Sequence, residues 1–410
     1  MSGEGQKVVI IGAGHAGGSA AAFLREYGFA GDITLVGEEA VLPYQRPPLS
    51  KAWLKGEADE HHLILRPDVY YANSHIDVRL ATRAAAIDRA NCRVSLPNGE
   101  ALPYDWLVLA TGSKLRRLNV PGAELAGILF LRTTVDADQL KNAIRPGCKL
   151  AVIGGGYIGL EVAACAKYLG ADVTVIESEA RVLSRTSSAG LAEFFQDYHR
   201  SKGVRFELSA RVNGFVGRDG HVAGVKLADG RTIDCDAALV GVGARGNDDL
   251  ARAAGLPCED GIVVDDFART ADPKIFAIGD CTRRPLPRYG RSMRLESVPN
   301  ALEQAKFAAG AICGRPPSAA EVPWFWSDQF DLRLQIAGLA VDVAETVIRG
   351  DPKQAKFAVF HLAADGRLQA VEAVNATPEY MTGRLLIGKA KPVDRARLAD
   401  RGVPIKQLLS

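Results

Sequence analysis

The residues in this chain best suited to chemistry are glycines. Gly12-Ala13-Gly14-His15-Ala16-Gly17 and Gly154-Gly155-Gly156-Tyr157-Ile158-Gly159 both carry the spacing G-x-G-x-x-G. Each follows a short apolar run, Lys7-Val8-Val9-Ile10-Ile11 and Lys149-Leu150-Ala151-Val152-Ile153. Each precedes small residues that read as a helix, over 19–27 and 161–169. A strand turning sharply on glycine lets backbone N–H groups approach a pyrophosphate, and the helix N-terminus adds partial positive charge. The motif is weak alone. Two of them, far apart in one chain, predict one held flavin dinucleotide and one visiting nicotinamide dinucleotide.

Acids at strand ends come next. A carboxylate about twenty positions after such glycines is where an adenosine ribose is hydrogen-bonded. After the strand Asp32-Ile33-Thr34-Leu35-Val36 the candidate is Glu38, with Glu39 in reserve; after Asp172-Val173-Thr174-Val175-Ile176 it is Glu177. A carboxylate at Glu177 accepts from both ribose hydroxyls of NADH but faces the 2′-phosphate of NADPH. Charged hydrogen bonds are worth about 1.5–3 kcal/mol, so a preference for NADH of roughly tenfold or more is expected. Arg181 and Arg185 downstream would temper it. Lys274-Ile275-Phe276-Ala277-Ile278-Gly279-Asp280 repeats the pattern of strand, glycine and acid, and Asp280 suits a ribityl hydroxyl or a helix N-cap.

Other segments supply rigidity or shielding. In Tyr44-Gln45-Arg46-Pro47-Pro48-Leu49-Ser50-Lys51 two prolines fix an extended backbone between two cations. That suits a phosphate or an electron-rich ring, and equally a solvated surface turn. The strand ending in Ala110-Thr111-Gly112 can bring backbone close to a dinucleotide. Val322-Pro323-Trp324-Phe325-Trp326-Ser327-Asp328-Gln329 holds two of the four tryptophans, either as core or as a screen beside a flavin. The seven cysteines include no C-x-x-C and no close pair, so neither a disulfide framework nor a metal site is expected. The dithiol relay of many two-dinucleotide flavoenzymes is also missing.

The elements that must position these groups form an α/β chain. At 410 residues it exceeds one compact core. Two Rossmann-like dinucleotide-binding domains are expected, for FAD and NAD, each with an inserted β-meander (76–109 and 204–240), plus a small C-terminal α+β domain. The FAD domain takes 1–113 and 245–320, the NAD domain 114–244 and the third domain 321–410. The strand 237–243 reads as a return to the first domain. Strands at 332–337, 345–349, 357–362 and 368–374 and a helix at 378–389 make the last. Apolar residues at 47%, charged residues at 24% and a net charge of +2 describe an ordinary globular protein that does not bind nucleic acid wholesale. No stretch approaches the ~18 apolar residues of a membrane span. Met1-Ser2-Gly3-Glu4-Gly5-Gln6 runs into the first strand without a signal peptide, so a cytoplasmic location is expected.

Taken with Arg46-Pro47-Pro48-Leu49-Ser50-Lys51, Gly279-Asp280-Cys281, Arg294-Leu295-Glu296-Ser297-Val298-Pro299-Asn300-Ala301 and Pro323-Trp324-Phe325-Trp326-Ser327-Asp328-Gln329, the glycine motifs give a chain-long resemblance. The chain resembles the single-component NADH-dependent ferredoxin reductases of the glutathione-reductase-like fold, which serve bacterial cytochrome P450s and ring-hydroxylating dioxygenases. The resemblance implies that Gly12, Gly14 and Gly17, with His15 and Ala16, hold the FAD pyrophosphate and Glu38 its ribose. It implies that Arg46, Lys51, Ala110, Thr111, Gly112, Arg132, Asp280, Val298 and Trp324 contact FAD. Gly154, Gly156, Tyr157, Ile158, Gly159, Glu161 and Glu177 would hold NADH, with Glu161 and Glu296 near the nicotinamide. Arg245-Gly246-Asn247 departs from the family's usual Pro-Asn pair and suggests a looser loop. Thr282-Arg283-Arg284-Pro285 is unusually basic, either a surface loop or part of a partner footprint.

The reaction so implied is hydride transfer from NADH to flavin, then two single-electron steps to an acidic [2Fe–2S] ferredoxin. Lys51, Glu161 and Glu296 are the candidate catalytic set. Hydride transfer needs no acid or base, so Glu161 reads as a positioning residue, or as an acid favoured by the helix dipole. Arg66, Lys306, Arg333, Lys389 and Lys391 are candidate partner contacts, and oligomeric state is open. Two alternatives are an NADH oxidase or peroxidase and an NADH-sensing flavoprotein like apoptosis-inducing factor. The first lacks its cysteine at Leu49-Ser50-Lys51; the second is separated by fast reoxidation with ferredoxin.

Overall fold

The computed structural model describes residues 3–316 and 319–409, so Met1 and Ser2 of the N-terminal run lie outside the described residues. Two compact units make up the chain. The first comprises Met1–Arg46, Glu60–Lys114 and Ala244–Glu321; the second comprises Pro47–Asp59, Leu115–Gly243 and Val322–Ser410.

In the first unit Lys7–Ile11 is the middle strand of a five-stranded parallel sheet. Asp32–Val36 and then Ile76–Arg79 flank it on one side, Trp106–Leu109 and then Ile275–Ala277 on the other. Successive side chains point to opposite faces, and both faces are covered, which is why the strand is apolar without a break. Val8 and Ile10 pack with Ala20, Leu24, Ala305 and Ala308 of the helices His15–Glu26 and Val298–Ile312. Val9 and Ile11 pack on Ile87, Val94 and Leu102 of an antiparallel meander, Ala86–Asp88, Arg93–Ser95 and Ala101–Pro103.

The second unit contains the same plan again. Lys149–Ile153 is central, with Asp172–Ile176 and Arg205–Glu207 on one side and Ala237–Val240 and Ile128–Leu129 on the other. Even the register repeats: Lys7 stands opposite Asp32, and Lys149 opposite Asp172. A meander of Val212–Arg218, His221–Leu227 and Thr232–Asp234 covers one face, burying Phe215 and Val225 with Ala151 and Ile153. The C-terminal residues add an antiparallel sheet in the order Trp324–Gln329, Leu332–Gly338, Leu368–Val374, Lys356–Leu362, Glu345–Asp351. Helix Thr377–Lys389 closes its core through Tyr380, Leu386 and Ile387.

Both parallel sheets turn into their first helix through one backbone contact. Gly12 and Gly154 have φ of +112° and +107°, a region L-residues rarely adopt. A Cβ on Gly17 would lie 1.9 Å from the Gly12 carbonyl oxygen, and one on Gly159 2.2 Å from that of Gly154. The helices therefore start on the glycines themselves, at His15–Glu26 and Tyr157–Tyr168, four residues ahead of the expected starts. Glycine and β-branched residues there lowered the apparent helical propensity, and the tertiary contact overrides it.

Several further expectations are corrected. Ile76–Arg79 and Arg205–Glu207 belong to the parallel sheets, not to the meanders, and Ala237–Val240 pairs within the second sheet instead of returning to the first. Strands of only three or four residues carry no local sign of which sheet receives them. Thr282–Leu286 is a strand, with Thr282 and Arg284 buried, and not a surface loop. Arg245-Gly246-Asn247 is fastened: Asn247 donates its N–H to the Gly112 carbonyl and its amide to that of Thr111. Among the described residues no helix is long and apolar enough to cross a membrane. Gly17→Ala and Gly159→Ala should each lower stability by about 1–3 kcal/mol through overpacking. Thermal unfolding reads this as a fall in Tm, and a Tm equal to the parent's would show that the contact relaxes freely.

Candidate functional site

The first glycine cradle ends at Gly14, the N-cap of helix His15–Glu26, and no side chain caps that helix end. Its first N–H groups consequently have no intrahelical acceptor. A Cβ on Gly14 would meet nothing closer than the Arg46 Nη2, at 4.0 Å. The His15 Nδ1 is buried with no partner among the described residues, and burial pulls the imidazole down to about 4, so the ring is neutral. Open space, an uncapped helix end and an orphaned ring nitrogen fit the pyrophosphate of a dinucleotide.

Neighbouring segments converge on the same strand ends. The Ala110 carbonyl oxygen would lie 2.1 Å from a Cβ on Gly12, and Ala16 would lie 3.1 Å from one on Gly279. These contacts bring Ala110-Thr111-Gly112 and the Gly279–Cys281 turn to the cradle. Thr111 Oγ1 donates to the Asn247 carbonyl at 2.6 Å, and Ser113 Oγ to Asp280 Oδ2 at 3.4 Å. Val298 opens the helix Val298–Ile312, whose Gln304 accepts from the Gly279 N–H at 2.8 Å and from Thr282 Oγ1 at 2.9 Å. Sequence reasoning missed Gln304, which with Asn300 forms a buried, hydrogen-bonded polar pair on an otherwise apolar helix face.

The two acids after Asp32–Val36 have different surroundings. Glu38 is exposed, with Arg83 at 3.9 Å. Glu39 is occupied by Arg46 at 2.5 Å and by the Tyr44 hydroxyl at 2.7 Å. Glu296, also in this unit, is half-exposed and ion-paired to Arg294.

In the second cradle Gly156 caps the helix Tyr157–Tyr168, again with no side-chain bond, and a Cβ there would meet nothing within 4 Å. Ile158 stands exposed on the first turn. The Tyr157 hydroxyl lies 2.6 Å from Ser187 Oγ, its ring lies 4.8 Å from that of Phe325, and burial pushes its pKa up to about 12. Glu177 sits at its strand end with both oxygens held: Oε2 accepts from Gly155 N–H at 2.7 Å, Oε1 from Glu179 N–H at 2.9 Å. Arg181 is folded onto its own loop, donating to the Ser187 and Ser184 carbonyls at 3.2 and 3.0 Å. It does not reach toward Glu177. Arg185 Nη2 lies 3.6 Å from where a Cβ on Gly243 would stand.

The second unit also assembles Lys51 and Glu161. The 3-10 turn Pro47–Ser50 presents Lys51 Nζ to Glu161 Oε2 at 2.6 Å. Ser50 Oγ donates to the same oxygen at 2.5 Å and Ser327 Oγ to Oε1 at 2.6 Å. Behind Ser327 stand Gln329, donating to it at 3.1 Å, and His199, whose Nε2 lies 2.8 Å from Gln329 Oε1. Ser50, Ser327, Gln329 and His199 were not among the expected site residues. The signal was present: in Trp326-Ser327-Asp328-Gln329 the polar Ser327 and Gln329 share the buried face of a strand while Asp328 faces out. Arg132 stands just before helix Thr134–Ala143, its N–H bonded to the Asp136 that completes a capping box. The Trp324 ring lies 5.6 Å from that of Trp326, tilted by 32°, with the Arg384 guanidinium 5.5 Å above it.

All seven cysteines are free thiols. Burial pushes Cys165 up to about 11 and Cys235 up to about 12, which keeps both protonated. Among the described residues no group of three or more His, Cys, Asp or Glu could hold a metal ion.

Residues 6–305 match the family model of pyridine nucleotide-disulphide oxidoreductases, and 324–409 match the reductase C-terminal model. The chain belongs to the pyridine nucleotide-disulphide oxidoreductases, within their ferredoxin reductases. It is 49% identical to a protein of Castellaniella defragrans described as "Probable ferredoxin reductase CtmF", over 98% of both chains. It is 42% identical to rhodocoxin reductase of Rhodococcus erythropolis, covering 97% of this chain and 93% of that one. The covalent putidaredoxin reductase–putidaredoxin complex superposes with a TM-score of 0.96 at 40% identity, over 98% of each chain. The disulphide of the family's description has no counterpart here, since no cysteine is paired.

His199 makes a pH prediction. Burial holds it neutral, at about 4 against 6.5 for the free group, so the unfolded chain binds the proton first as pH falls. Its contribution is complete above about pH 6.5 and is lost progressively towards pH 4, at up to about 1.4 kcal/mol per pH unit. His199→Gln should flatten the dependence of Tm on pH across that window. An unchanged slope would remove His199 as its source.

Proposed function

We propose that this chain is an FAD-containing ferredoxin reductase that takes electrons from NADH and passes them to an acidic [2Fe–2S] ferredoxin feeding a cytochrome P450 or a ring-hydroxylating oxygenase. The observation that carries the reading is the pair of uncapped glycine cradles in a chain with no paired cysteine. Two dinucleotide sites imply traffic between them, and the full-length likeness to ferredoxin reductases supports its leaving as single electrons. Bound FAD supplies the conversion of a two-electron hydride into two one-electron transfers.

The chain's own residues bind, orient and shield. Residues 1–113 and 245–320 form the FAD domain, 114–244 the NAD domain and 321–410 the partner-facing domain. Gly12, Gly14, His15, Ala16 and Gly17 hold the FAD pyrophosphate, and Glu38, left open to solvent, accepts from the adenosine ribose. Arg46, Ala110, Thr111, Gly112, Arg132, Asp280 and Val298 line the remainder, and Trp324 screens the ring from water. Gly154, Gly156, Tyr157, Ile158 and Gly159 hold NADH, and Glu177 accepts from its ribose. Lys51, on the flavin side, pairs with Glu161, which with Glu296 orients the nicotinamide. Neither Lys51 nor Glu161 is asked to move a proton, because their pairing already satisfies both charges. Arg66, Lys306, Arg333, Lys389 and Lys391 contribute to steering the ferredoxin, in the cytoplasm.

The deciding experiment is the visible spectrum of the purified protein together with NADH-driven cytochrome c reduction, with and without added ferredoxin. A yellow protein whose turnover requires the carrier supports the reading; a colourless protein that refuses FAD overturns it. Steering between exposed charges is screened by salt, so turnover through ferredoxin should fall with ionic strength while reduction of a small dye does not. Equal sensitivity of both acceptors would exclude the basic contacts. Glu177→Ala should narrow the preference for NADH over NADPH by about tenfold, read as the ratio of kcat/KM values. An unchanged ratio would remove Glu177 as the discriminating residue.

A further inference from the structure

The segment Trp324–Gln329 carries more polar chemistry than a partner-facing screen requires. Its Ser327 and Gln329 are fully buried, and both engage residues remote in sequence. Three hydrogen bonds run in one direction. The Gln329 amide oxygen faces His199, so the Nε2 of that ring carries the hydrogen and donates at 2.8 Å. The Gln329 NH2 group donates to Ser327 Oγ at 3.1 Å, and the Ser327 hydroxyl donates to Glu161 Oε1 at 2.6 Å. The chain starts at a neutral imidazole packed edge-on against Phe330 at 4.9 Å. It ends on a carboxylate that is 4% exposed.

What this directionality does follows from the Glu161 environment. A buried ion pair is favourable only when the remaining lone pairs and protons are satisfied. Lys51 and Ser50 take Oε2, and Ser327 is the sole partner of Oε1 among the described residues. Aligned donors polarise one another, so the carboxylate receives more than one isolated hydroxyl would supply. Without Ser327, Oε1 is a buried acceptor with nothing to accept, and the carboxylate rotates toward any donor within reach. Lys51 turns with it, because the two share one contact.

We propose that Ser327, oriented by Gln329 and His199, is a positioning residue that fixes the Glu161–Lys51 pair for the nicotinamide half of the dinucleotide site. The inference rests on the proposed NADH reading and refines it. The partners of Glu161 are all different from those of Glu177, which are Gly155, Ser178 and Glu179. On the proposed reading the two carboxylates serve different parts of the ligand, Glu177 the adenosine ribose and Glu161 the nicotinamide. The C-terminal sheet therefore supplies part of the nucleotide site through a side chain that never touches the nucleotide.

The test is calorimetric binding of NAD+ and of ADP-ribose, which lacks the nicotinamide, to the oxidised holoenzyme. Ser327→Ala should weaken NAD+ by about tenfold and leave ADP-ribose within about twofold of the parent protein. Ser327→Thr, which keeps the hydroxyl, should restore NAD+ binding, and Asp328→Asn on the exposed face should change neither ligand. Gln329→Met leaves Ser327 in place without its donor and should weaken NAD+ selectively by a smaller factor; it decides the matter if Ser327→Ala does not fold. Equal losses of both ligands, or no loss of NAD+ in the variants that fold, would overturn the proposal. Failure of the parent holoenzyme to bind either ligand would instead refute the NADH reading on which it rests.

Discussion

Two backbone contacts, Gly17 on the Gly12 carbonyl and Gly159 on that of Gly154, set the architecture on which everything else depends. Neither leaves room for a Cβ. Each presses the start of a helix against the end of a central parallel strand, with φ at the turning glycine near +110°. The helix macrodipole and its first N–H groups then point at a spot that no side chain occupies. A pyrophosphate needs that combination. A bulkier residue at any of these glycines would move the helix, and the anion site would disappear before any specific contact was lost.

The chain uses this device twice and then distinguishes the two copies by what surrounds them. In the first, Glu39 is consumed by Arg46 and Tyr44 while Glu38 remains open. In the second, Glu177 comes immediately after the strand and is held by loop N–H groups, while Arg181 is turned onto neighbouring carbonyls. The two copies carry the same strand register and the same glycine geometry but opposite ways of presenting an acid. On the proposed reading, the acid held by backbone donors is the one that meets the ribose of the nicotinamide dinucleotide.

The charged pair Lys51–Glu161 carries a different lesson. Its members come from a proline-fixed turn and from a nucleotide-site helix, and the hydroxyl that completes it comes from the C-terminal sheet. A buried ion pair assembled from three separate segments cannot form until all three have folded. Its correct geometry is thereby a readout of the whole second unit. None of the seven cysteines is paired, and burial keeps the Cys165 thiol, which lies against the Ser50 carbonyl beside this ion pair, protonated.

The sequence alone determined the parts of this protein that depend on local patterning. Glycine spacing after an apolar strand specified both glycine turns, the acids that follow the two strands could be read off as Glu38 and Glu177, and strand-like runs located four of the five C-terminal strands to within two residues, Trp324–Gln329 being the one not read as a strand. These are short-range properties: a turn, a helix dipole and a strand period are encoded within a few neighbouring residues. Only the tertiary structure decided which sheet received Ile76–Arg79, Arg205–Glu207 and Ala237–Val240, because a strand of three or four residues is too short to specify its partner by itself. It alone turned the basic run at 282–285 into a strand with a buried arginine paired to Glu303, and joined His199, Gln329 and Ser327 to Glu161. The bonds from His199 to Gln329 and from Ser327 to Glu161 link residues more than a hundred positions apart. Their energy comes from excluding water around groups that satisfy one another, and no local pattern records which remote group that will be.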